Sequence, residues 1–549
     1  VSHRSTLWLA LAAACTPPIP SAGPTPTGLI RAESLYADLR EVRDRVDVTL
    51  AAGRHATGEG TPVDTLAGRY RALRAQVLRE LDRVPAFRLS GTDLRAIGVM
   101  RTALDNELGE LNNVRAAADI PPDCTYDAPH IAGLPSGLDS LKKRAYACYG
   151  WAQHHVMVDG VRMDRLSVLA ALAHTENREE RRRLFLSLEP VWRALNGENT
   201  PASPFRQLMA LVARTPGELP AAGRARALGL EPDTLDAWLI SMLETWRAAA
   251  PDSLIEPWDW HYQGGAASRR LSPRIPRQRL LEINAEVFRA LGADPDSLQI
   301  QYDLGPREGK TPVAFTTFGA RPRRVNGTWR PGEAWIFATY RAGGLDNLNE
   351  LLHETGHAVH IAAVRTRPAF ADWPDSDPFT EGLADLVALD VYEPLWQQRW
   401  IGDSATTAES MRGRYAGIVL DVAWALFEIR MQRDPASDPN QVWSDLTHEY
   451  LRIRPHPELS WWAMRGQLVD SPGYMLNYAA GAMIVAAIRA QIRAQHRPFL
   501  TGDPAWYGWV APRLFRFGLD RPSRLVIMEF LGGPLTPAAI LHDMRRLRE

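Results

Sequence analysis

Residues 351–361 read Leu351-Leu352-His353-Glu354-Thr355-Gly356-His357-Ala358-Val359-His360-Ile361. On an α-helix, positions four apart share a face, so His353 and His357 can turn two imidazoles toward one metal ion with Glu354 beside them. Leu348, Leu351, Leu352, Ala358, Val359 and Ile361 make this stretch apolar enough to bury, and burial strengthens the electrostatics of such a site. Catalytic zinc is commonly held by three protein ligands and keeps a further position for water. The motif therefore needs a third ligand from another segment.

Downstream, Phe379-Thr380-Glu381-Gly382-Leu383-Ala384-Asp385-Leu386-Val387-Ala388-Leu389 supplies a second apolar helix with two acids one turn apart. Two unpaired carboxylates in an apolar element would be costly. Glu381 as third ligand, and Asp385 as acceptor of the free ring N–H of a ligand histidine, remove that cost and fix the ring's tautomer. His360 lies three residues past His357, whereas the metzincin spacing needs six, so it supports the ligands from behind or packs. His448-Glu449 meets Arg452 where a second histidine would be needed, and His154 and His155 are adjacent, so neither forms such a centre.

Around this centre the pattern is mainly helical, with apolar residues at helical spacing near 31–50, 64–83, 91–116 and 164–196. The run Glu-Glu-Arg-Arg-Arg at 179–183 has opposite charges within helical reach and reads as a solvated face. Residues 298–302 and 334–340 read as strands between Gly- and Pro-bearing turns, a small sheet before the metal motif. Helical patterns then run from Leu345 onward. No internal repeat and no linker after residue 28 are evident, so residues 29–549 are expected to form one two-lobed helical unit. The formal charge of −1 and pI near 7.0 give no general field for phosphate backbones or acidic membranes, which argues against nucleic acid as a partner.

At the N-terminus, His3 and Arg4 precede Leu7-Trp8-Leu9-Ala10-Leu11-Ala12-Ala13-Ala14, which stops at Cys15. Residues 1–14 are expected to be a secretory signal, with Cys15 lipidated as in bacterial lipoproteins and residues 15–28, rich in proline, as a tether. No later segment reads as long and uncharged enough to span a bilayer. The expected setting is the bacterial cell envelope, periplasm-facing or at the surface, with membrane attachment only through lipid. Cys124 and Cys148 then remain as an even pair in an oxidising compartment, so a disulfide between them is expected.

With these residues in place the chain resembles the gluzincins, and among them the helical peptidases typified by thimet oligopeptidase, oligoendopeptidase and angiotensin-converting enzyme. His353 through His360 is similar to the oligopeptidase motif and residues 379–391 to the converting-enzyme third-ligand helix. Tyr302-Asp303 with Arg307-Glu308-Gly309-Lys310 resembles the oligopeptidase segment before the active-site strand, and Gly518-Leu519-Asp520-Arg521-Pro522 the converting-enzyme C-terminus. The resemblance implies a mainly α, two-lobed metallopeptidase with a deep cleft and a small β-sheet beside the site. It implies one zinc ion, Glu354 as general base, oligopeptide substrates, and a strand at 334–340 that pairs with an extended peptide. A late tyrosine over the scissile carbonyl is matched by Tyr478, with Tyr474 in reserve. The histidine that both relatives carry shortly before that tyrosine has no counterpart between Pro457 and Asn477. Arg465 is the candidate for holding a substrate C-terminus, which leaves endo-oligopeptidase and peptidyl-dipeptidase both open. A monomer is expected. The competing reading is a lipoprotein that binds metal or peptide without cutting it.

Overall fold

A computed structural model describes residues 25–53, 63–85, 89–113, 121–124, 137–250, 253–307, 310 and 313–549. The leader, Cys15 and most of the Pro-rich stretch lie outside the described residues, as do Glu308 and Gly309. Helix makes up 65% of the structure and strand 6%, the mainly helical fold with small sheets that was expected.

The N-terminal layer contains α1 (Thr27–Ala51), α2 (Val63–Asp82) and α3 (Gly91–Asn113). Helix α1 starts at Thr27, two residues inside the expected tether, because Pro26 presets an extended entry with φ −57° and ψ 139°. Leu29, Ala32, Tyr36, Leu39, Val42 and Val46 recur every three or four residues and form the buried stripe. They share a small core with Ala369 and Phe370 of the larger body. Arg321, inside this seam, grips both carboxylate oxygens of Asp44 at 2.8 Å. Such a pair offsets its own desolvation only because the geometry is bidentate.

The expected helix at 164–196 is broken into Arg165–His174, Arg178–Leu186 and Glu189–Asn196. Asn177 accepts from the Glu180 amide and caps the second piece, and Pro190 opens the third. Glu179, Glu180, Arg182 and Arg183 are exposed as expected, but Arg181 is buried against Asp259 at 2.7 Å. Cys124 and Cys148 form a disulfide.

Among the described residues seven short strands make three sheets: β1 (Val156–Val158) with β2 (Val161–Met163), β5 (Arg323–Val325) with β6 (Thr328–Arg330), and β3 (Gln301–Asp303), β7 (Glu333–Phe337) and β4 (Phe315–Ala320) in the order β3-β7-β4. Strand β3 runs parallel to β7, and β4 antiparallel to it. This corrects the sequence reading, because β7 is the central strand and both its edges are taken. It cannot pair with a peptide; β4, which the sequence did not reveal as a strand, is an edge. Lys310, its side chain wholly buried, pairs with Asp303 at 2.9 Å and donates to the Asp303 and Gly305 carbonyls, tying the loop after β3 to the sheet.

Four helices of the larger body carry or back the site: α4 (Leu345–Ala363), α5 (Asp377–Ala388), α6 (Thr407–Arg433) and α7 (Met475–Gln495). Helix α6 opens with a reciprocal cap, Thr406 Oγ1 accepting from the Glu409 amide while the Glu409 carboxylate accepts from the Thr406 amide. Helix α7 differs from the sequence reading, being long and apolar enough to cross a membrane by length and composition. Because 72% of its apolar window is buried inside the protein, its hydrophobicity is satisfied by packing against α5 and α6.

Candidate active site

Helices α4 and α5 are in close contact at Gly356, where an added Cβ would stand 2.5 Å from the Ala384 carbonyl oxygen. That contact sets the faces of the two helices against each other. His353 and His357 project from α4, and Glu381 from α5. His353 Nε2 lies 3.1 Å from His357 Nε2 and 3.2 Å from Glu381 Oε2, and the third separation is 3.6 Å. Ligands about 2.05 Å from a tetrahedral zinc are separated by about 3.3 Å, so this donor set fits such an ion.

Asp385 Oδ1 lies 2.8 Å from His353 Nδ1. A carboxylate only accepts, so Nδ1 carries the proton and the lone pair of Nε2 is left for the point that the three donor atoms surround. Burial opposes charge on His353, but Asp385 and Glu381 outweigh it and raise its pKa well above the ordinary histidine value. Burial likewise opposes charge on Glu381, and the two histidines outweigh it, holding that carboxyl far below the usual range. A cation at the meeting point of the three atoms is thus favoured. The sequence reading placed Glu381 and Asp385 in an apolar interior; instead the Glu381 side chain is 56% exposed and Asp385 33%, both facing a cleft.

Glu354 is buried beside the histidines, and its Oε2 accepts from Thr316 Oγ1 of β4 at 2.7 Å. The same hydroxyl lies 2.9 Å from the Glu354 carbonyl, so the threonine orients the carboxylate from the sheet. Within the motif, Thr355 meets Tyr302 of β3 at 3.3 Å, and Asn284 donates to the same phenol at 3.1 Å. The sheet therefore holds the metal helix at two adjacent residues.

Of the two roles open to His360, support of the ligands or packing, the structure shows packing and no hydrogen bond to a ligand residue. His360 is fully buried, its Nε2 lies 3.3 Å from the Phe517 carbonyl, and its ring packs on Trp373 and Phe515. One turn past His357, this part of α4 is covered by the 515–517 segment rather than by the cleft. Burial pushes its pKa down to about 3, so it is neutral.

The cleft has two adjoining chambers. One, of about 360 Å³, is lined by Thr316, His353, Glu354, His357 and Trp373. The other, of about 370 Å³, is lined by Asp421, Tyr474, Asn477, Tyr478 and Val485. Asp377 and Glu381 line both. Tyr474 and Tyr478 are thus both on the wall that Glu381 faces. The Tyr478 phenol accepts from Gln467 at 3.1 Å, and the two rings meet edge-on at 5.8 Å. Burial raises both phenols, Tyr474 to about 12, which keeps them neutral donors.

Arg465 is ion-paired with Asp421, and its guanidinium lies 5.2 Å from the Tyr478 ring centroid. Arg165 is close enough for the two cations to act on each other, and its Nε is buried without a partner. His261, pushed down to about 4 by burial, Arg465 and Arg165, adds no charge.

Sequence reasoning missed Thr316, Trp373, Asp377 and Arg165. A lone threonine or tryptophan in a loop or unassigned strand carries no periodic signal. Ser376-Asp377-Pro378, a helix start, was the one legible cue.

No family model matches the sequence, and no curated protein matches it either. Among solved structures the chain is similar to an M32 carboxypeptidase from Deinococcus radiodurans R1, at TM-score 0.53 and 16% identity over 94% of this chain and 97% of that one. It is similar to an oligoendopeptidase F, at TM-score 0.50 and 14% identity over 93% and 96% of the two chains. For a carboxypeptidase of Pyrococcus furiosus the values are 0.50 and 14%, over 96% and 99%. The chain has, over nearly its whole length, the fold of these helical peptidases.

Proposed function

We propose that the protein is a zinc-dependent peptidase that hydrolyses oligopeptides in the cleft between α4 and α7. The observation that carries this is the convergence of His353 Nε2, His357 Nε2 and Glu381 Oε2 within 4.8 Å of one another, with the Glu354 carboxylate next to them. When bound, zinc would lower the pKa of its water and polarise the scissile carbonyl.

Glu354, steered by Thr316, takes the proton from the attacking water and returns it to the leaving amine. Asp385 keeps His353 in the tautomer that leaves Nε2 free. Tyr478, a neutral phenol, donates to the developing oxyanion, with Tyr474 as the alternative donor; such a donor is typically worth about 3 to 4 kcal/mol. Strand β4, whose Phe315 and Thr316 line the chamber of Glu354, offers its backbone to an extended peptide.

A finer reading is that cleavage occurs near a free C-terminus. Arg165 and Arg465 lie beside Asp421 and Tyr478, next to the chamber whose own lining carries Asp377, Glu381, Asp385 and Asp421. A guanidinium of this pair suits a peptide's terminal carboxylate. We also propose export and lipidation at Cys15, which the Cys124–Cys148 disulfide supports through its need for an oxidising compartment.

The test is a mixed peptide pool read by mass spectrometry, with and without chelator. Chelator-sensitive new termini are expected, and a zinc-loaded Glu354→Gln protein is expected to make none. Continued cleavage by that variant removes Glu354 from its role; binding of peptides without any new termini favours the non-catalytic reading. C-terminally amidated peptides are expected to be cut far more slowly than free acids, and equal rates would point to internal cleavage.

A further inference from the structure

A pocket of about 760 Å³, larger than either chamber of the cleft, lies in the seam between α1 and the larger body. Arg323, Arg324, Arg365, Arg367 and Arg516 line it, against only Glu33 and Asp520. In a chain of net charge −1 this is a strong local excess of positive charge. Two of the arginines are neutralised: Arg323 by Asp38 and Glu41, Arg367 by Glu33 and Asp93.

The other three are not. Among the described residues, Arg324, Arg365 and Arg516 have no carboxylate within ion-pair distance; Arg516 acts on Asp520 only through space. The Arg365 and Arg516 backbones are joined, the Arg365 amide donating to the Arg516 carbonyl at 2.8 Å, which brings the two positions to one edge of the pocket. All three side chains are exposed, and an anion held between them would gain from their summed positive field. Arg365 lies over the Trp329 ring at 5.6 Å and Arg516 over Phe517 at 5.1 Å, contacts that favour these placements of the exposed guanidinium groups. Hydroxyls of Ser34 and Thr92 add donors, and Ile30, 55% exposed, adds an apolar rim.

We propose that this seam pocket binds a phosphate-bearing anion, separately from the peptidase cleft. Guanidinium forks match phosphate oxygens in pairs, and three forks with two hydroxyls suit a group with several oxygens better than a single carboxylate. The apolar rim beside them fits the carbon portion of an organic phosphate. A soluble phosphate and the headgroup of an anionic phospholipid share this chemistry.

The test uses the full chain and a triple variant, Arg324→Gln with Arg365→Gln and Arg516→Gln, with far-UV circular dichroism to verify folding. A control triple variant removes exposed charge elsewhere, at Arg182, Arg183 and Arg214. Titration calorimetry with pyrophosphate, and co-sedimentation with phosphatidylglycerol vesicles against phosphatidylcholine vesicles, supply the two arms. Binding of the parent to at least one anionic probe is expected, weakened about tenfold or more in the seam variant but not in the control. Saturable pyrophosphate binding identifies a soluble ligand; binding to phosphatidylglycerol alone identifies a headgroup. No binding in either arm overturns the proposal, as does equal loss in the control. Pyrophosphate binding that survives intact in the seam variant also overturns it, because the phosphate is then held at the metal centre.

Discussion

Gly356 and Ala384 meet more closely than any side chain would allow, with 2.5 Å between a Cβ built on Gly356 and the Ala384 carbonyl oxygen. The clash would be with backbone, so no rotamer change relieves it. Gly356→Ala is therefore expected to push α5 away from α4, at an overpacking cost of about 1 to 3 kcal/mol. Since Glu381 rides on α5 one turn from this contact, the ligand triangle opens as well. Chemical denaturation and zinc content should both fall, and a variant with parental zinc affinity would show that the contact does not set the ligand spacing.

Asp385 fixes the ring of His353 through a 2.8 Å hydrogen bond. Asp385→Ala removes both the acceptor and the charge that favour the metal-binding tautomer. Loss of such a partner typically lowers metal affinity about 10- to 100-fold. Competition against a chromophoric chelator measures this directly. An unchanged affinity would mean that Nδ1 of His353 needs no partner and that Asp385 faces the cleft for another reason.

Thr316 separates what the sequence shows from what it hides. His353, His357, Glu381 and Asp385 were legible because helical periodicity converts spacing into a shared face, and metal chemistry restricts which residue types can stand there. Thr316 was not, because it reaches Glu354 across the sheet from a position 38 residues earlier, and nothing local marks it. The same distinction explains β7. Its apolar run identifies a strand but not its neighbours, and strand order alone decides that β4 and not β7 is an edge. For His360 the sequence left two roles open, support or packing, and the choice rests on the covering segment at 515–517, which only tertiary packing brings there.

Thr316→Val keeps the shape of the residue and removes the hydroxyl that donates to Glu354. A hydrogen bond to a charged group is worth about 1.5 to 3 kcal/mol, so kcat is expected to drop roughly 10- to 100-fold. The effect should fall on kcat with zinc content unchanged, because Thr316 contacts the base and none of the ligands. A rise in KM with kcat preserved would instead assign Thr316 to peptide binding along β4.

Glu428 on α6 links acidity to the tyrosine wall. Its two oxygens accept from the amides of Gly473 and Met475, at 2.5 and 3.2 Å, and these amides flank Tyr474. Burial pushes the carboxyl from 4.5 up to about 8, and the two amides and Arg224 only partly counter it. The unfolded chain releases this proton near 4.5 while the folded protein keeps it to about 8, so the folded state binds more protons throughout that window. Stability from this group is complete below 4.5 and is lost as pH rises toward 8. Glu428→Gln cannot titrate, so its stability should fall less than that of the parent between pH 5 and 8. Denaturation midpoints of the two proteins, measured in parallel across that range, cancel the contributions of every other group. Parallel slopes would show that Glu428 is already ionised in the fold, with the two amides stabilising a carboxylate.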